Sequence, residues 1–104
     1  MNEITVELLA EFKERMKLSD DEDSNLTRIL EASVEDLVDK CGAYDITTSA
    51  RFKELVFERS RYAYNDALEY FNMNFLTQIN SLAISKAFKN PSISVVEGDT
   101  IETK

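Results

Sequence analysis

The chain has 104 residues, 43% hydrophobic and 31% charged, with a formal net charge of −8, two Gly, one Pro, one Cys and no His. That length suits one domain whose core needs no disulfide or metal staple. The missing histidine removes the commonest general base, the Ser-His and Cys-His nucleophile pairs and the commonest zinc ligand, while a lone Cys41 excludes an intramolecular disulfide and a thiolate metal cluster.

The charge is uneven. Residues 1–40 hold twelve acids and five bases, net −7, whereas residues 41–104 hold eight and seven, net −1. An acidic first half argues against gripping nucleic acid, which requires clustered Lys and Arg. No apolar run approaches the roughly 18–20 residues of a membrane span, so no membrane contact is expected. Acids interleaved from Glu3 onward make the start of the chain unlike a signal peptide.

Ile4, Leu8, Leu9, Phe12 and Met16 recur at helical spacing and predict a first amphipathic helix over about 5–17. A second stripe, Leu26, Ile29, Leu30, Val34, Leu37, Val38 and Cys41, ends at Gly42, a natural position for a left-handed helix stop. Between them lies "KLSDDEDSN", which invites comparison with a calcium loop. Starting at Asp20, the oxygen ligands would be Asp20, Glu22, Ser24 and, at the twelfth place, Glu31. However, the sixth place is Asn25 instead of Gly, and the apolar stripe begins at Leu26, inside the supposed loop. A capping box explains more residues: Ser19 as N-cap, Glu22 reaching back, and acids in the first turn against the helix dipole. No metal or other cofactor is therefore expected.

After a short connection at 43–48, a third helix is predicted to start near Ser49 and run to at least Phe71. At about 100° per residue, Phe52, Leu55, Val56, Ala63, Ala67 and Tyr70 form one stripe, and Phe57, Tyr64, Leu68, Phe71 and Phe75 form a second. A helix with two apolar faces is central in its bundle, packs on another molecule, or both. The second stripe is accordingly a candidate subunit interface. Arg59 and Asp66 fall within the first stripe and are candidate partners for each other or for a neighbouring subunit.

Residues 72–89 stay helix-compatible, with Leu76, Ile79, Leu82, Ala83 and Ala87 apolar and a bend or break expected near residues 72–74. Asn90–Pro91 stops the helix, separating a helical domain at 1–90 from an extended tail at 91–104. The tail's two β-prone runs around Glu97-Gly98-Asp99 fit a hairpin, and Ile93, Val95, Val96 and Ile101 are its candidate docking residues. An added strand on a partner's sheet edge is one way such a tail docks. The fold class is thus all-α, a bundle of three to four helices with a long third one.

The stretch "RFKELVFERSRYAYNDALEYF", with Arg61-Tyr62-Ala63-Tyr64-Asn65 at its centre, follows two shorter helices joined by a link of Leu-x-x-Asp type from Leu18 to Asp21. Over residues 4–88 this pattern resembles the small head–tail connector (adaptor, head-completion) proteins of tailed bacteriophages. The resemblance implies a ring of about a dozen copies of the chain. Such a ring sits beneath the portal protein, extends its DNA channel and presents a platform to the next head-completion or tail protein. DNA would pass through without specific binding, and the protein would reside in the virion after assembly in the host cytoplasm. The connection "CGAYDITTSA" departs from the family pattern in lacking a Pro-containing stretch, and the tail has no counterpart in it.

A different class also fits the charge, namely a small acidic helical module that binds a protein, with mimicry of DNA charge as one route. Enzyme chemistry fits least, because carboxylate pairs such as Glu35 and Asp36 are adjacent and diverge on a helix. The capping reading predicts that millimolar calcium leaves far-ultraviolet circular dichroism unchanged; a saturable calcium-dependent gain in helicity would restore the loop reading.

Overall fold

The computed structural model describes residues 3–19 and 22–89. Helix α1, Val6–Met16, begins where the Thr5 hydroxyl accepts the amide of Leu8 at 3.1 Å. It ends where Lys17 turns left-handed at φ 59°. The Lys17 amide then bonds the Glu14 carbonyl and the Leu18 amide the Lys13 carbonyl, a Schellman stop without glycine. Leu8 and Phe12 are the buried residues of this helix.

Helix α2, Asp23–Cys41, buries Leu26, Leu30, Ser33, Val34, Leu37 and Cys41, the three-to-four spacing of the sequence stripe. Residues 23–31 are continuous helix, as the helix-start reading requires and a calcium loop does not permit. The capping detail differs: the helix begins at Asp23 with Glu22 at the N-cap and no side-chain cap bond. Asp20 and Asp21 lie outside the described residues. Gly42 closes the helix at φ 99°, and a Cβ there would sit 2.8 Å from the Lys86 Cγ. Both the backbone and the space require glycine.

In the connection, the Asp45 carboxylate accepts the Thr47 amide at 2.9 Å and the Thr47 hydroxyl at 2.6 Å. These two bonds hold its pKa below the ordinary carboxylate range. Ile46 is pressed into the core beside this turn. Ser49 then caps α3, Ala50–Tyr64, by accepting the Phe52 amide at 3.2 Å. Phe52, Leu55, Val56, Phe57, Glu58 and Ser60 are buried all around α3, so it is the central helix. Its most extensive partner is α2, with Ser33 and Ser60 hydrogen-bonded at 2.9 Å in full burial. Two small side chains at that crossing let the backbones approach closely.

The long third helix expected through Phe71 does not occur. Asp66 adopts φ 59°, and the amides of Asp66 and Ala67 bond the carbonyls of Ala63 and Tyr62, a second Schellman stop. The Asn65 side chain adds a bond to the Arg61 carbonyl at 3.0 Å. Asn and Asp tolerate the left-handed region better than other non-glycine residues, which lets the chain break here. A 3₁₀ turn at Leu68–Tyr70, a short α4 at Phe71–Asn74 and α5 at Leu76–Lys89 come next. The bend expected near 72–74 thus falls at Phe75, between α4 and α5.

The fold is all-helical, with five helices and no strand among the described residues. The segment predicted as a tail, including the hairpin, lies outside them. One core joins all the longer helices: Phe12 meets Phe57 with ring centroids 5.3 Å apart, and Tyr44 stacks on Phe52 at 5.7 Å. Phe12→Ala should cost about 3–5 kcal/mol in chemical denaturation. Gly42→Ala should cost about 1–2 kcal/mol from backbone strain alone.

Candidate functional site

The charges singled out in the sequence are resolved within the chain, though not as paired there. The Arg59 guanidinium donates to Asp36 at 3.1 Å and to the Ser33 hydroxyl at 3.1 Å. Asp36 also holds Lys40 at 2.8 Å. Arg59 therefore serves the α2–α3 seam, and Asp66 is exposed in the turn beyond α3. The two do not meet, because the break after Tyr64 removes the helical register that would align them.

A second polar cluster ties α1 to α3. Arg15 grips Glu54 with two bonds, 3.0 and 2.6 Å, reaches Glu58, and lies 5.7 Å from the centre of the Phe57 ring. Arg61 closes on Glu58 from the other side at 2.7 Å. The buried Glu58 carboxylate is thus shared by two guanidiniums, the arrangement that makes burial of a charge tolerable. Hydrogen bonding from Glu54 foremost raises the Arg15 pKa against the opposing effect of burial. The same bond holds Glu54 below its usual range. This cluster carries no nucleophile and reads as a structural clasp.

Of the stripe predicted as a subunit interface, most turns inward. Phe57 and Phe71 are fully enclosed, and Phe75 is half-buried, stacked on Phe71 at 5.1 Å and edge-on to Tyr62 at 5.7 Å. Tyr64 is half-buried and donates its hydroxyl to Glu22 at 2.7 Å. That bond raises the Tyr64 pKa. Leu68 alone of the five is exposed. The docking residues Ile93, Val95, Val96 and Ile101 lie outside the described residues. Cys41 is buried with its thiol 3.7 Å from the Ile79 carbonyl, and burial pushes its pKa up, as befits an unreactive core thiol.

The surface that the sequence stripes do not single out is on α5. Ile79 and Leu82 face the core, against α2, while Leu76, Ile84 and Phe88 point away from it, Phe88 remaining 75% exposed. At about 100° per residue the three outward residues fall within one arc of about 120°. Met73 of α4 is 71% exposed nearby in sequence, and Thr77 and Asn80 complete the outward face without a charge. The signal was present in the sequence: residues 70–85 contain no Asp, Glu, Lys or Arg in a chain that is 31% charged. Depletion of charge around large apolar groups marks the centre of an interface.

The acids lie elsewhere. Glu3, Glu7 and Glu14 are exposed on and just before α1, and Glu31, Glu35 and Asp39 on α2. Among the described residues no group of three or more His, Cys, Asp or Glu is placed to hold a metal ion. No described helix is long and apolar enough to cross a membrane.

Comparison with models of known protein families, with curated proteins and with solved structures finds no match to this chain.

The Arg15–Glu54 bond links stability to pH. With its folded pKa lowered, Glu54 contributes fully above the ordinary carboxylate value of about 4.3, and its contribution is lost as pH falls through the lower folded value. The pair is largely exposed, so the effect is about 0.2–1 kcal/mol. The stability difference between wild type and Glu54→Gln, measured by urea denaturation, should be present at pH 6 and shrink towards zero near pH 3.

Proposed function

We propose that the chain is a structural subunit of a ring that joins the head of a tailed bacteriophage to its tail, extending the portal DNA channel. The observation that carries this reading is the uncharged, outward apolar face of α5, Leu76, Ile84 and Phe88. Large exposed apolar side chains gathered on one uncharged helix face suit a protein that works in contact with another. The resemblance over residues 4–88 supplies the setting.

Other features agree with that role. The chain's uncovered acids on α1 and α2 lie on helices other than α5. An acidic channel wall repels phosphate and lets a duplex slide without being held. In this reading the partners are further copies of the chain, the portal protein and the next head-completion or tail protein. Its work is assembly, with no chemical step.

The test is native mass spectrometry over a concentration series, with negative-stain images of any large species. Closed rings of about a dozen copies are expected. A chain that remains monomeric throughout, yet binds a DNA-binding enzyme in a strongly salt-dependent manner, would replace the ring with the acidic-mimic reading.

A further inference from the structure

The α5 face needs an occupant, and the charge pattern of the chain narrows the choice. The surfaces of α1 and α2 are studded with Glu3, Glu7, Glu14, Glu31, Glu35 and Asp39, each of which would lose hydration against an apolar helix face without gaining a partner there. After residues 70–85, the longest stretch free of charge is residues 90–96, Asn-Pro-Ser-Ile-Ser-Val-Val, which come directly after α5 and lie outside the described residues. Acids resume at Glu97.

The lengths agree. From Leu76 to Phe88 the outward stripe is about 18 Å long at the rise of an α-helix. Five extended residues, 92–96, span about 17 Å. The composition agrees as well, since Ile93 and Val95 alternate with serines and Val96 comes after them.

We infer that residues 92–96 of one copy seat on the Leu76–Ile84–Phe88 face of α5 in the next copy, as an exchanged arm that links subunits head to tail. The inference rests on the assembly reading above in taking a second copy as the occupant. It goes further by naming both halves of the contact. Because the two halves are different surfaces, each copy gives one arm and receives one, which is the heterologous pattern that closes into rings or runs on as open chains. Within the described part of a neighbouring copy there is no sheet edge for a strand to join, so the receiving surface is a helix face.

Two full-length variants test it, each checked for unchanged helicity by circular dichroism. Ile84→Asp with Phe88→Asp spoils the face and keeps the arm; Val95→Asp with Val96→Asp spoils the arm and keeps the face. Analytical ultracentrifugation of each variant alone should give monomer where wild type assembles. An equimolar mixture should give a dimer that grows no further, since one good arm meets one good face and both other ends are blocked. Assembly of the arm variant alone, a mixture that stays monomeric, or a wild type that never associates would each overturn the contact. Capped dimers from variants of a wild type that forms only open chains would uphold the arm and dismiss the closed ring. Closed rings of the arm variant would do the reverse.

Discussion

The left-handed turn at Asp66 is the constraint on which the arrangement depends. A non-glycine residue in that region costs about 1–2 kcal/mol. Two Schellman amide bonds and the Asn65 side chain stabilise the turn locally. The larger compensation comes from Phe71, which the turn carries back onto Tyr62 and into full burial. Burying one such side chain contributes about 1.5–3 kcal/mol, enough to offset the strain. Had α3 continued in register, Phe71 and Phe75 would have extended past the end of α2 with nothing to cover them.

The turn also sets the course of α5. That helix returns along α2, where Ile79 meets Cys41, the Tyr44 hydroxyl donates to the Leu82 carbonyl at 2.7 Å, and Lys86 passes close over Gly42. A helix pinned along one side has one side left over. On most surface helices that side is charged; on α5 it is Leu76, Ile84 and Phe88 with uncharged polar residues between them. α3, by contrast, resolves its polar residues inside the fold, Arg59 on Asp36 and Glu58 between Arg15 and Arg61. The charge is therefore unevenly placed, with exposed acids on α1 and α2 and no acid on α5, whose charged residues are Lys86 and Lys89 at its C-terminal end.

Much of the fold was legible in the sequence. The stripe from Leu26 to Cys41 and the stop at Gly42 reproduce α2, and Thr5 and Ser49 stand at the starts of α1 and α3. These features depend on near neighbours in the chain, through helix periodicity, capping bonds and a backbone angle that only glycine adopts freely. The Asn65-Asp66 pair is a turn signal of the same local kind, outweighed in the sequence pattern by the aromatic residues on either side of it. Reading those aromatics as one continuous helix gives it two apolar faces without deciding what covers the second, and in the folded chain Phe57 and Phe71 of that face are enclosed.

By itself, then, the sequence determined the helical class, the extent of the first helix to within a residue at each end, the end of the second and the start of the third, the acidic first half and the absence of histidine chemistry. The tertiary structure decided where α3 ends, which aromatic residues are core, which carboxylate answers Arg59, and which apolar residues of α5 remain uncovered. The physical reason is the range of the interactions involved. Caps and periodicity act over three or four residues, whereas burial depends on partners brought together from 23 to 43 positions away, as Arg59 with Asp36, Cys41 with Ile79 and Arg15 with Glu58.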